Sequence, residues 1–102
     1  MKINSLLLDE KDNVAVVTRS LECGDIARYL INHELVEVIL AQDIQRYHKF
    51  ATVPIIEGSR VYKYGQPIGI AGMDIRVGET VHSHNVISLR QQINDKQRGD
   101  SR

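Results

Sequence analysis

The residues best suited to chemistry fall in one segment of fewer than forty positions, from His48 to Asn85. This segment holds three of the four histidines, two lysines and an asparagine. The groups are His48-Lys49-Phe50-Ala51, residues 61–71 around Lys63, and Val81-His82-Ser83-His84-Asn85. Imidazole and ammonium groups bind anions, bind metals or transfer protons, whereas strands built for stability favour Val, Ile and Thr. Function is therefore expected in this segment.

His82 and His84 are the candidate metal ligands. In a strand through residues 81–85, period-two alternation puts both imidazoles on one face, where they could bind one divalent ion. A working site usually needs a third protein ligand, and no carboxylate is placed to complete this set. The alternative is that both histidines are half-exposed side chains near a loop. Asn85 either orients a substrate carboxylate or hydroxyl, or shapes the turn.

His48, Lys49 and Lys63 are the candidates for acid–base and anion-binding roles. The His48-Lys49 pair places a general acid or base beside a fixed cation at the edge of a loop, although such pairs are also common on protein surfaces. Alternation over residues 61–64 puts Lys63 on the same side as Val61, which is expected in the core. Lys63 therefore either lines a cleft and meets an anion there, or extends along a short edge strand to water.

The elements that must position these residues are joined by a recurring corner. An apolar residue stands three positions on either side of a glycine in Leu21-x-x-Gly24-x-x-Ala27, Ile55-x-x-Gly58-x-x-Val61 and Ile75-x-x-Gly78-x-x-Val81. Each copy predicts a tight turn between strands, because glycine supplies a positive φ and the flanking residues anchor in a shared core. Ile44-x-x-Tyr47-x-x-Phe50 carries tyrosine in place of glycine. That corner either adopts a different turn or tolerates a strained Tyr47.

The segments between the corners predict an all-β fold. Residues rich in β-branched side chains predict short strands at 13–19, 35–40, 61–64, 67–71, 80–84 and 86–89. Ile26, Tyr29 and Leu30 share a face at helical spacing, so residues 25–32 could form at most one or two helical turns. Uneven gaps between the corners favour a compact barrel-like domain over a solenoid, and this domain is expected over residues 1–89. Residues 90–102 contain one apolar side chain and predict a polar tail.

Length and composition narrow the possible functions. The 102 residues allow one domain, and 13 basic residues balance 13 acidic ones. This balance lacks the electrostatic footprint of a nucleic-acid or anionic-membrane binder. Because no apolar run has the length of a membrane span and the N-terminus lacks a secretory pattern, a cytoplasmic protein is expected. Cys23 has no partner for an internal disulfide and is expected to be an inert side chain beside a turn.

Several of these motifs, taken in order, resemble a known module. They are His48-Lys49-Phe50-Ala51, Lys63-Tyr64-Gly65-x-Pro67-Ile68-Gly69-x-Ala71, Ile75-x-x-Gly78-x-x-Val81 and His82-x-His84-Asn85. Over residues 12–88 the chain closely resembles the small N-terminal module of altronate dehydratase. That module is shared with galactarate dehydratase and the small subunit of sulfolactate sulfo-lyase, in the SAF domain group. The resemblance implies a β-clip fold and a role as the small part of a sugar-acid lyase.

The sequence departs from the family pattern in three places. Tyr47 stands where the family usually has glycine before the His-Lys pair. Residues 27–37 look longer than the usual short hairpin. The catalytic large domain of the family does not follow the module in this sequence, so either a separate large subunit is the partner, as expected, or the activity is absent.

The resemblance also implies a division of roles. Dehydrating a hydroxy acid removes the proton α to a carboxylate and expels a β-hydroxyl, which requires a base, cations near the carboxylate and a metal or acid at the leaving oxygen. The expected substrate-binding residues are Lys49, Lys63 and Asn85, and the expected proton carriers are His48 and His84. A divalent metal, iron or manganese, would be bound by the His82 and His84 pair, with most other ligands from the large subunit.

Two questions stay open at this point. A sulfonated substrate would release bisulfite in place of water, and the same cations would serve. The rival function is a non-catalytic carbohydrate-binding or assembly module with the same fold, because fold does not fix function. A stand-alone metal enzyme is disfavoured, since a carboxylate ligand is missing.

Overall fold

Residues 2–89, which the computed structural model describes, form short antiparallel β-strands in three small sheets. The strands are β1 (Ser5–Leu6), β2 (Val14–Val17), β3 (Ile26–Ile31), β4 (Glu34–Ile39), β5 (Lys49–Ala51), β6 (Arg60–Lys63), β7 (Gln66–Ala71), β8 (Thr80–Val81) and β9 (Val86–Ser88). The sheet orders are β1-β2-β5-β8, β3-β4 and β6-β7-β9. The prediction of a mainly β fold of short strands is confirmed. Within residues 2–89, no helix has the length and apolar character needed to cross a membrane.

The four corners share one backbone conformation. Gly24, Gly58 and Gly78 have φ values of 91°, 87° and 85°, and Tyr47 follows them with φ 69°. The apolar residues three positions either side of each corner are all buried. The corner prediction is therefore confirmed, and of the two alternatives for Tyr47 the structure shows a tyrosine held in the left-handed region.

The corners pair two by two. Leu21 bridges Ile44, and Ile55 bridges Ile75, each through antiparallel backbone contacts. A polar side chain just before a bridging residue then caps the partner corner. Asp43 Oδ1 accepts a hydrogen bond from the Cys23 amide, and Asp74 Oδ1 accepts one from the Glu57 amide, both at 2.8 Å. These contacts use backbone donors that the tight turns leave free.

The buried apolar residues of the corners belong to two hydrophobic clusters. One is formed around Phe50 and includes the following residues: Ala15, Val17, Leu21, Ala27, Tyr29, Val38, Leu40 and Ile44. The other contains Val14, Ala51, Ile55, Val61, Ala71, Ile75 and Val81. Strands β2 and β5 contribute to both clusters. The sheet containing β5 and β8 is therefore held in place by packing in both clusters.

The helical turn predicted for residues 25–32 is wrong. These residues include β3, which pairs along its whole length with β4 through a turn at Asn32 and His33. Both turn residues have positive φ, 49° and 68°, as a two-residue hairpin requires. Ala27 and Tyr29 are buried while Leu30 is 48% exposed, so the side chains alternate with period two. The helical spacing of three apolar residues was a coincidence within this alternation.

Two other predicted boundaries change. The strand predicted at residues 80–84 ends at Val81, and residues 82–85 form a turn. The predicted strands at 13–19, 35–40, 61–64, 67–71 and 86–89 are all present, each with bounds shifted by one or two residues at an end. Cys23 lies beside a turn as expected, but its side chain is exposed. The predicted tail at 90–102 lies outside the described residues.

The corners give a first testable prediction, with different costs at two glycines. A side-chain Cβ at Gly78 would lie 2.5 Å from the Ile39 carbonyl oxygen, whereas one at Gly58 would meet open space. Gly58→Val is expected to destabilise the domain by about 1–2 kcal/mol through backbone strain alone. Gly78→Val should cost about 3 kcal/mol or more, because overpacking adds to the strain. Chemical denaturation measures both, and equal losses would contradict this account of the Gly78 corner.

Candidate functional site

A cavity of about 260 Å³ opens where the sheet containing β5 and β8 meets the sheet containing β7 and β9. Its lining residues are Lys49, Ile68, Val81, His82, Ser83, Val86 and Ser88. Three of them are aliphatic, three carry a hydroxyl or imidazole, and one is a cation. Small-molecule sites combine an apolar wall with a few convergent polar groups in this way. The cavity has the size and chemistry to receive a small organic anion.

Lys49 brings the positive charge into this cavity. It lies in β5 between Val16 of β2 and Val81 of β8, and its side chain is partly buried. Burial lowers the pKa of the Lys49 ammonium, and the nearby positive charge of Lys63 lowers it further. An ammonium under these two influences gains from a bound anion, which would replace lost hydration and offset the repulsion. Lys49 is therefore the strongest candidate anion-binding group.

Lys63 lies beside this cation, but it is not among the residues that line the cavity. It ends β6, is partly buried, and places its Nζ 5.3 Å from the centroid of the Tyr64 ring. The ladder between β6 and β7 shifts register after Val61, so simple alternation along the two strands breaks there. The structure thus brings Lys63 close enough to Lys49 for the two charges to interact, while the Lys63 ammonium lies over the Tyr64 ring. A role for Lys63 in binding an anion stays a prediction.

His48 stacks on His82. The two ring centroids lie 4.9 Å apart with an angle of 20° between the planes. The Lys49–Val81 pairing explains the contact, because extending this antiparallel register by one residue sets His48 opposite His82. His82 is exposed and lines the cavity, and His48 is partly buried. The sequence alone did not predict a contact between these two histidines. His48 directly precedes β5 and His82 directly follows β8, so the contact could be predicted only once the pairing of these strands was known.

Asn85 shapes the turn that carries His82. Its Oδ1 accepts a hydrogen bond from the His82 amide at 2.9 Å, and its Nδ2 donates one to the Thr80 carbonyl at 2.8 Å. Asn85 is only 5% exposed. These bonds correspond to the turn-shaping alternative for Asn85, because both ends of its amide hold backbone groups. The expected contact of Asn85 with substrate stays a prediction.

His84 lies exposed in the same turn. Because the strand ends at Val81, His82 and His84 do not share a strand face, so the alternation argument that made them a metal pair no longer applies. Within residues 2–89 there is no cluster of three or more His, Cys, Asp and Glu side chains suited to hold a metal ion. Metal binding by these histidines and a catalytic role for His84 both stay predictions.

Five of the seven cavity residues were not among the predicted site residues: Ile68, Val81, Ser83, Val86 and Ser88. Period-two alternation places Val86 and Ser88 on the same face of β9, and this pattern can be seen in the sequence. In the structure they pair with Ala71 and Gly69 of β7. Gly69 is required there, since a Cβ would lie 2.5 Å from the Ile87 carbonyl oxygen. Its lack of a side chain lets β9 approach closely and close one wall of the cavity.

Comparison with known proteins identifies the family of the chain. Residues 3–89 match the family model of the altronate/galactarate dehydratase SAF domain. The chain is 45% identical over 74 residues to an altronate dehydratase of Escherichia coli strain K12, covering 72% of this chain and 14% of that protein. It is 36% identical over 78 residues to an altronate dehydratase of Bacillus subtilis strain 168, covering 76% of this chain and 15% of that protein. The chain therefore spans about one seventh of the length of these relatives. The chain belongs to the altronate/galactarate dehydratase SAF domain family.

Proposed function

We propose that this domain is the small subunit of a sugar-acid dehydratase and completes the active site of a separate large lyase subunit. The observation that carries the proposal is the cation of Lys49 in a cavity of small-molecule size, with Lys63 beside it. The two altronate dehydratase relatives support a hydroxy acid of that class as the substrate. A cytoplasmic location is part of the same proposal.

The proposed reaction is the elimination of water from a 2,3-dihydroxy acid. The C–H bond α to the carboxylate and the C–O bond at the β carbon break, a C=C bond forms, and the hydroxyl leaves as water after receiving a proton. Negative charge grows on the substrate carboxylate as the α proton is removed. Lys49 and Lys63 oppose this charge, and because Lys49 is partly buried its electrostatic effect is less screened than in bulk water.

The histidines supply the proton transfers in this proposal. His48 or His84 takes or gives the proton, because an imidazole nitrogen can both accept and donate a proton. His82 lines the cavity and stacks on His48, so it holds that ring beside the bound acid. Asn85 fixes the backbone of this turn and is the remaining expected substrate contact.

The proposal assigns most ligands of a shared iron or manganese ion to the large subunit. The residues described here do not fit a complete metal site by themselves, because no group of three suitable side chains occurs among residues 2–89. His82 and His84 would contribute at most two imidazoles. No step of the proposed proton transfer is assigned to a metal.

The second prediction is that the purified chain folds but does not turn over substrate. The chain supplies two lysines and several histidines to the proposed site, but in this proposal the rest of the catalytic set lies on the large subunit. Circular dichroism should show a folded β domain, and an assay for keto-acid product should give no signal above the uncatalysed rate. Turnover by the chain alone, in metal-supplemented buffer, would overturn the two-subunit proposal.

The deciding experiment is co-expression with a candidate large lyase chain, encoded near this one. Aldonic, aldaric and sulfonated hydroxy acids are then assayed for keto-acid product, with sulfite measured in parallel. Dehydration that needs both chains supports the proposal, and release of sulfite reassigns the leaving group to bisulfite. A complex that binds these acids without converting any of them would instead support a carbohydrate-binding or assembly role.

A further inference from the structure

The hairpin of β3 and β4 presents an apolar face whose aliphatic side chains are exposed in the described part of the chain. Alternation puts the following residues on this face, here called the outer hairpin face: Ile26, Arg28, Leu30, Leu35, Glu37 and Ile39. The opposite face of the hairpin carries Ala27, Tyr29 and Val38, which are buried in the core. The hairpin therefore has one face anchored and one face in solvent.

The backbone of the outer hairpin face is held by hydrogen bonds to the Asn4 side chain, and most of its side chains are aliphatic. Ile39 is 69% exposed and Leu30 is 48% exposed, with Leu35 and Ile26 at 43% and 37%. The Asn4 side chain accepts a hydrogen bond from the Arg28 amide at 2.7 Å and donates one to the Ile26 carbonyl at 3.0 Å. Four adjacent exposed aliphatic side chains on a fixed hairpin are typical of an interaction surface.

The arrangement of residues on this face is self-complementary. Three cross-strand pairs follow one another along it: Ile26 with Ile39, Arg28 with Glu37, and Leu30 with Leu35. The central pair is a salt bridge with 2.8 Å between Arg28 Nε and Glu37 Oε2. An ion pair of zero net charge is thus flanked by an aliphatic pair on each side.

We propose that this face binds the same face of a second copy of the chain. A two-fold axis parallel to the strands places Arg28 opposite Glu37 of the partner, and the reverse contact follows by symmetry. The same operation sets Ile26 opposite Ile39 and Leu30 opposite Leu35. An axis across the strands would instead oppose arginine to arginine, which costs energy. The charges therefore select one of the two symmetric arrangements.

The size of the face predicts a weak dimer. Six residues per strand span about 20 Å and two strands are about 10 Å wide with their side chains, so the buried area falls well below the roughly 800 Å² per partner of a standard interface. A dissociation constant of micromolar to millimolar order is expected. Association should therefore depend on protein concentration, and it would bring two small subunits together through their hairpins.

The test uses sedimentation velocity of the full chain over a wide concentration range. The parent should shift from monomer to dimer, and Ile39→Asp should weaken the dissociation constant by about tenfold or more, since it puts an unpaired charge in the contact. Ile56→Asp is the matched control, because Ile56 is 68% exposed but lies outside the hairpin. Thermal melts establish that each variant is folded.

Charge exchange gives a sharper test of the two-fold arrangement. Arg28→Glu and Glu37→Arg each create like charges within and between copies, so neither variant should self-associate. Mixed in equal amounts they should form a heterodimer, because each face then meets its opposite charge. A parent that stays monomeric at every concentration, or a mixture that fails to associate while both variants are folded, would overturn the proposal. Dimerisation weakened equally by Ile56→Asp would also overturn it.

Discussion

Replacing Lys49 with methionine is expected to lower kcat/KM of the assembled lyase by about 100-fold or more, because a charged contact made in a partly desolvated cavity is worth about 3 kcal/mol. Methionine has a similar length and removes only the charge and its hydrogen bonds. The measurement is steady-state kinetics of the reconstituted complex with its best hydroxy-acid substrate. Lys11→Met is the matched control, since Lys11 is exposed and lies away from the cavity.

The same substitution should stabilise the domain slightly. Burial and Lys63 lower the pKa of Lys49, so the protonated form is less favourable in the folded domain than in the unfolded chain. This cost is fully present below the folded pKa and disappears as the pH rises towards the ordinary lysine value. Lys49→Met is therefore expected to raise the free energy of unfolding slightly at neutral pH, as substitutions at functional sites often do. Lost activity together with lost stability would assign Lys49 to structure.

The pH dependence of binding provides an independent check on Lys49. An anion binds the protonated amine, so affinity should fall as the pH rises through the lowered pKa of Lys49. Lys49→Arg keeps its charge at alkaline pH and should abolish that decline, even where the longer side chain weakens binding. Calorimetric titration of the complex with the substrate or a non-reacting analogue measures both. An unchanged alkaline decline in Lys49→Arg would assign the titration to another group.

The corners could be predicted from the sequence because their rule is local. A turn residue in the left-handed region, with a buried apolar side chain three positions away on each side, leaves few alternative backbone conformations. Tyr47 adopts this conformation without being glycine, so burial of Ile44 and Phe50 offsets the strain at Tyr47. Non-glycine residues in this region cost free energy that the surrounding packing must offset. The resemblance to the family was based on the order of several motifs along the chain. The match of residues 3–89 to the family model confirms that resemblance.

The hairpin and the cavity could not be predicted in the same way. Ile26, Tyr29 and Leu30 fit a helical face and a strand equally well over so few residues, and only pairing with β4 decides between them. The contact of His48 with His82 depends on the β5–β8 register, which joins segments about thirty residues apart in the chain. Long-range register is set by the whole core and has no local signal.

The final prediction concerns the proton carriers. His48→Ala and His84→Ala in the reconstituted complex are each compared with His33→Ala, since His33 lies at the tip of the hairpin and does not line the cavity. If a histidine transfers the proton, replacing it with alanine should lower kcat by about 10²–10⁴-fold while folding and assembly stay intact. Its loss should also remove one limb of the kcat–pH profile, which a purely structural histidine would leave in place. His33→Ala should retain full activity.

The two candidates differ in what their structural surroundings allow. His84 is exposed in the turn that Asn85 holds, so His84→Ala should leave the thermal melt unchanged. His48 packs on the His82 ring, so His48→Ala removes a contact and is accompanied by His48→Gln, which keeps part of the packing but cannot titrate. Low activity in both His48 variants with a lost pH limb assigns proton transfer to His48. Full activity in His84→Ala together with rescue by His48→Gln would contradict both assignments, and the proposed role of this chain would then be limited to binding the acid through Lys49 and Lys63.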